Sequence, residues 1–353
     1  MGGTDFPADP EGTMTEKYQS FTARNRTVEY RIVFEPLPPV SAVHKWVGAQ
    51  SVSGCLYGIP NDMDAVLKYR REKCRYLKCA GSGLFQWTGG CVWNGTLYGF
   101  PRASGRLLKM PLDTEAVEYL SLQEEYSGEH HYGGVCTKEG MVYQPPRNSD
   151  HILVWDLKKE KTGKIALAPE TEGRTFRYCG SILHPGGFVY FLPELGERAI
   201  KLDSRTGEWA FIGERIDAMV FDAKAAGDGC IYGYSAYCPG ILKLNTETDC
   251  VEMIHKEICP GAYGTKLGVN GHLYSIPGDG EYVWDYDPLT DSLKSIYRFS
   301  HKAQAKYAGG ATMENGSIYG VPARENQMIR LEPDAEGLEI PRDIYSAYFA
   351  DCY

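Results

Sequence analysis

The chain lacks any run of about 18 consecutive apolar residues, so no transmembrane helix is written into it. It lacks a CxxC pair, and its 11 cysteines are odd in number, so neither a disulfide framework nor a thiolate metal site is expected. Free thiols behave as small apolar residues; Cys55, Cys91, Cys136, Cys179 and Cys230 fall in strand positions and are expected to be buried. Reduced thiols imply a reducing, intracellular compartment, with the cytoplasm as the expected address. The opening MGGTDFPADPEG has no basic or apolar region of a secretory signal, and Phe6 stands where a myristoylation pattern needs Ser or Thr. Positive charge is in short supply: 37 Lys and Arg face 46 Asp and Glu, a net −9 that argues against nucleic acid as a partner. The eight histidines form no HExxH or metal-spaced pair, and no GxSxG or phosphate-binding loop occurs. No metal, cofactor or catalytic residue is expected on these grounds. Asp285 and Asp287 share a strand face, and a solvated strand end explains them better than a cation site.

What is present is a repeat. A glycine, one free residue, an aliphatic residue and a tyrosine recur seven times, with tyrosines at Tyr57, Tyr98, Tyr143, Tyr190, Tyr232, Tyr274 and Tyr319. A fixed period of about 40–50 residues means stacked units or propeller blades. Segments such as GCLYGIP, GTLYGFP and GSIYGVP read as short strands ending at proline, which cannot donate to a sheet ladder. Asn-Gly pairs beginning at Asn94, Asn270 and Asn315 supply tight hairpins before them. Further apolar runs follow, as in LLKM and VEYLSL, which makes about four antiparallel strands per unit. The expected fold is therefore all-β, a seven-bladed β-propeller of four-stranded antiparallel blades.

The repeat resembles those of kelch-like propellers over roughly residues 28–350. It departs from them in carrying Gly-x-Pro where kelch repeats have a glycine doublet; the doublets here, such as Gly89-Gly90, lie in first strands. The resemblance implies the propeller and no particular function, because propellers host many.

The expected organisation is a disordered or partner-bound arm over 1–27 and one propeller over 28–343. Its blades fall at 44–84, 85–130, 131–173, 174–215, 216–258, 259–302 and 303–343. A strand at 28–38 would close the ring, and an aromatic tail, 344–353, would pack on the propeller or on a partner. Blade 5 diverges most, with FDAKAAGDG for its first strand and SAYCPG in place of the proline turn.

Eight or nine residues before each anchor glycine stands an aromatic residue: Trp46, Trp87, Tyr132, Tyr178, Phe221, Tyr263 and Tyr307. A residue type shared by every blade points to packing between blades. Strand alternation then turns the preceding residues to the channel mouth. Lys45, His131, Arg177 and Lys306 belong to that set, and the loop after the proline adds Arg102, Arg147 and Arg324 to the same face. Together these seven form the candidate binding surface. Lys68, Lys109, Lys201, Lys243 and Arg330 recur in third strands and read as the polar side of half-exposed strands.

The expected function is a non-catalytic binding or scaffold propeller, a subunit of a larger assembly whose basic-leaning mouth takes an acidic segment of a protein partner. The alternative is an enzyme or small-ligand binder acting on an anionic small molecule at the mouth, with His131 as its proton carrier. A sugar site on the aromatic ring ranks last.

Overall fold

The computed structural model describes residues 12–79, 83–121, 131–167, 176–301 and 303–350. Seven antiparallel sheets follow one another along the chain, most of them built from consecutive strands. Blade 2 shows the local logic. Trp87–Trp93 turns through Asn94 and Gly95, both in the left-handed region at φ +47° and +71°. This two-residue turn leads into Thr96–Pro101 and fixes Trp93 opposite Thr96. Pro101 ends that strand opposite Trp87, and Arg106–Pro111 and Glu118–Ser121 complete the sheet. The second strands of blades 1, 4, 6 and 7 likewise end on proline, at Pro60, Pro193, Pro277 and Pro322. In blade 4, Arg147–Ser149, the stretch after Pro146, adds a fifth strand on the inner edge beside Phe176–Leu183.

Blade 7 takes its outermost strand from the other end of the chain. Tyr30–Pro36 runs antiparallel to Gln327–Pro333 over seven paired residues, from Tyr30 opposite Pro333 to Pro36 opposite Gln327. The pairing covers an edge on each segment, and exposed strand edges invite association. No strand forms at Leu338–Ile340; that stretch leads into a short helix, Arg342–Ile344, and a π-helical turn, Tyr345–Phe349.

The arm does not match the expected disorder over the residues described. Gly12–Arg24 is an α-helix, with Tyr18 and Phe21 buried. Tyr18 stacks on Tyr348 at 4.0 Å, and Phe21 meets Phe349 edge-on at 6.2 Å. Lys17 Nζ bonds Asp343 at 2.8 Å, and Arg26 pairs with Asp287 in blade 6. The arm and the C-terminal segment thus cover one another against the base face, where first strands end. Residues 1–11 and 351–353 lie outside the described residues. No helix among the described residues is long and apolar enough to cross a membrane.

The core is radial, with apolar side chains filling the wedges between neighbouring blades. Third-strand cations fasten some of these wedges. Lys68 of blade 1 pairs with Glu115 of blade 2, Lys109 of blade 2 with Glu160 of blade 3 at 2.9 Å, and Lys201 of blade 4 with Asp249 of blade 5 at 2.8 Å. These lysines join blades rather than merely facing solvent, so that part of the sequence reading is corrected.

Candidate functional site

Strand register decides which side chains reach the channel. One first-strand residue faces the repeat tyrosine in each blade: Gln50, Cys91, Val135, Ile182, Lys224, Lys266 and Ala311. Four residues before these stand Trp46, Trp87, His131, Tyr178, Val220, Ala262 and Tyr307, every one at 0% or 1% exposure between blades. Trp46 Nε1 donates to Ala65 O at 2.9 Å and Trp87 Nε1 to Arg106 O at 2.8 Å, which ties each indole to the third strand of its own blade.

The residues one step later are Val47, Thr88, Tyr132, Cys179, Phe221, Tyr263 and Ala308. All seven line a cavity of about 360 Å³ at the channel mouth. The aromatic ring read from the sequence therefore divides. Trp46, Trp87, Tyr178 and Tyr307 are wedges, whereas Tyr132, Phe221 and Tyr263 face the cavity. The cause is hairpin length. Facing residues are seven apart in blades 1 and 2 but eight apart in the other five, so counting back from the glycine slips the register by one in blades 3, 5 and 6.

One step later again lie Gly48, Gly89, Gly133, Gly180, Asp222, Gly264 and Gly309. Glycine is needed because the backbones crowd the axis: a Cβ on Gly48 would stand 2.9 Å from the Gly89 Cα, and one on Gly309 2.9 Å from the Gly48 Cα. Both glycines also hold positive φ, +82° and +68°. Blade 5 alone puts a side chain there. Asp222 reaches blade 6, where its Oδ2 lies 2.6 Å from Lys266 Nζ, and the half-buried carboxylate and buried ammonium form an ion pair on the cavity wall.

The expected basic mouth is smaller than the sequence suggested. Lys45 is 2% exposed and donates from Nζ to Arg324 O at 2.8 Å and Glu325 O at 3.0 Å. Lys306 is fully buried, donates to Ala303 O at 3.1 Å and lies over the Phe299 ring. Burial pushes both ammonium pKa values down. His131 is buried between blades with Nε2 3.2 Å from His151 O, so it is no proton carrier for the mouth. Arg177 and Arg324 are exposed and do not line the cavity; Arg177 lies 3.7 Å from a carboxylate oxygen of Glu194.

Arg102 and Arg147 do reach the cavity. Each guanidinium carbon is 5.0 Å from the centre of the Tyr132 ring, and Arg102 also covers Phe85 at 4.3 Å. Arg147 Nε is 3.4 Å from buried Glu194. Both arginines directly follow the proline of their blade, where blades 5 to 7 carry the small residues Ala236, Gly278 and Ala323.

Sequence reasoning missed four contributors. His44 lines the cavity, and burial lowers its pKa against the opposing pull of Asp62. Asp222 and Lys266 were not singled out, although the absent glycine of blade 5 marked their place. Tyr237, in the divergent SAYCPG turn, is 56% exposed at the rim and its hydroxyl bonds that of Tyr263. Among the described residues no group of histidine, cysteine and carboxylate side chains is placed to hold a metal ion.

No known family model matches the chain, and no curated protein matches it by sequence. Solved structures do match. A streptogramin B lyase aligns with 86% of this chain and 98% of its own, at a TM-score of 0.70 and 12% identity. A catalytically inactive virginiamycin B lyase from Staphylococcus aureus, solved with quinupristin, covers 86% and 99% at 0.72 and 11%. The extracellular domain of a one-component system from B. thetaiotaomicron aligns with 84% of this chain and 39% of its own, at 0.64 and 12%. At such identities the likeness extends to the fold alone, and the kelch-like resemblance finds no support in it.

Proposed function

We propose that the chain binds a small anionic molecule in the mouth cavity, with Arg102 and Arg147 receiving the negative group. The observation that carries this reading is the shared ring: two guanidiniums held at 5.0 Å from one tyrosine, in the wall of a hollow of small-molecule size. Two guanidiniums beside one ring can each offer an oxyanion directional, charge-assisted hydrogen bonds. Among the lining residues Arg102, Arg147 and Lys266 are cationic and Asp222 is acidic; Lys266 is paired with Asp222, and Arg147 lies 3.4 Å from Glu194. A scaffold working through an acidic partner segment needs its cations on an open rim. Burial of Lys45 and Lys306 weakens that reading. A lyase of the same fold solved with quinupristin gives the small-molecule reading a parallel and nothing more.

A second reading, turnover of the bound anion, rests on His44. Its lowered pKa leaves the imidazole neutral near pH 7, able to accept a proton at the cavity wall.

The test is thermal unfolding of the full chain with phosphate, sulfate and benzoate, at constant ionic strength. Binding raises the melting temperature in proportion to the logarithm of ligand concentration. The wild type should respond to at least one of these anions, and Arg102→Gln/Arg147→Gln should not. An equal response in the double variant, or none in the wild type, removes the proposal.

A further inference from the structure

We infer that the ligand is a planar aromatic oxyanion, held with its ring against Tyr132, Phe221 and Tyr263. The inference rests on the anion reading and names the chemistry of the rest of the molecule. The residues that face the cavity from the same register position are unevenly distributed around the channel. Blades 3, 5 and 6 supply Tyr132, Phe221 and Tyr263, while blades 7, 1 and 2 supply Ala308, Val47 and Thr88. The aromatic residues touch in sequence, Tyr132 to Phe221 at 5.5 Å and Phe221 to Tyr263 at 5.3 Å. Blade 4 intervenes with Cys179, whose small side chain lets Tyr132 and Phe221 meet across it. One side of the hollow is therefore a continuous aromatic wall. Across it stand Val47, Thr88 and Ala308, with His44 and Phe85 beside them, and the closely packed backbones of Gly48, Gly89 and Gly309 at the axis.

Such a hollow favours a flat body over a globular one. A planar ring gains stacked or edge-on contacts with these side chains, which a saturated ring of equal size does not. The anchor adjoins the wall. Tyr132 is both the end of the aromatic wall and the ring on which the two guanidiniums rest, so an anionic group attached directly to an aromatic ring spans both features. Tyr237 extends the wall to the rim, 5.9 Å from Tyr263.

Calorimetric titration at constant ionic strength tests this with matched pairs: benzoate against cyclohexanecarboxylate, and phenyl phosphate against inorganic phosphate. The aromatic member of each pair should bind about tenfold more tightly. In Phe221→Leu the advantage should shrink to within about threefold, while inorganic phosphate binds as before. Cyclohexanecarboxylate binding as tightly as benzoate overturns the inference, as does Phe221→Leu that keeps the full advantage. If every anion binds alike and Arg102→Gln/Arg147→Gln abolishes all of them, the aromatic inference fails and the anion reading stands. If no anion binds, both fall.

Discussion

Asp222 shows most directly how one residue can depart from a repeat for a purpose. Six blades need glycine at its position, and the seventh carries a carboxylate that pairs with Lys266. A buried ion pair is weak evidence for stability, since desolvation offsets most of the attraction, whereas removing one partner strands the other. Asp222→Gly alone should therefore lower stability in denaturant unfolding, by less than the ~3–5 kcal/mol of a fully buried pair because Asp222 is half-buried. Asp222→Gly with Lys266→Met should recover most of that loss. A double variant as unstable as the single one would mean that the pair does not behave as a unit. His44 carries the pH dependence at this scale. Its folded pKa lies below the unfolded value, so the unfolded chain binds the proton better. Stability should fall as pH drops below about 6.5, and His44→Gln should flatten that slope in melts between pH 5 and 8. The repeat, its period and the identity of Arg102 and Arg147 were legible in the sequence because each is a local pattern. Which aromatic residues face the cavity was not, because one extra hairpin residue exchanges wedge for channel and is invisible without the pairing.

The helix Gly12–Arg24 was hidden for a different reason. Its apolar residues are few, but Met14, Tyr18 and Phe21 stand four and three apart, the spacing of one helical face, and that signal was available. The helix gains its stability from docking rather than from propensity. Tyr18→Ala should cost about 3–5 kcal/mol, in the range of a large buried aromatic residue. Deleting residues 1–26 should lower the melting temperature, which a disordered arm would not do. The anchor of the same segment is acid-sensitive. Burial works to raise the pKa of Asp287, yet hydrogen bonds from Arg26 and Thr290 hold it down to about 2. Its contribution is fully present above the unfolded pKa of about 4 and is lost as pH falls toward 2, an amount of about 2 kcal/mol. Arg26→Met should shrink that acid-dependent component in melts between pH 2 and 5, and an unchanged profile would separate Asp287 from the docking of the helix.

At the scale of the whole molecule, the ring is closed by hydrogen bonds between segments 300 residues apart rather than by continuous chain. Removing residues 1–36 takes away both the helix and the strand Tyr30–Pro36, and bares the edge of Gln327–Pro333. That truncation should aggregate on warming, whereas deletion of 1–26 should melt early but stay dispersed; light scattering during the melt distinguishes them. The closing strand could be anticipated from the sequence because alternation and an apolar face survive at the start of the chain as in any outer strand. Packing of the aromatic tail on the propeller was anticipated too, but its pairing with the helix was not, since that depends on contacts between the two ends.

Those contacts leave Thr15 and Tyr348 with their hydroxyl oxygens 3.0 Å apart, far from the mouth. A short glycine linker could therefore join the two terminal segments covalently, and new ends could be opened in an exposed turn of another blade. In such a circular permutant every blade adjoins its neighbour through continuous chain except at the chosen cut. The cavity, built wholly from blade interiors and mouth loops, would be carried unchanged into a molecule whose seam lies elsewhere.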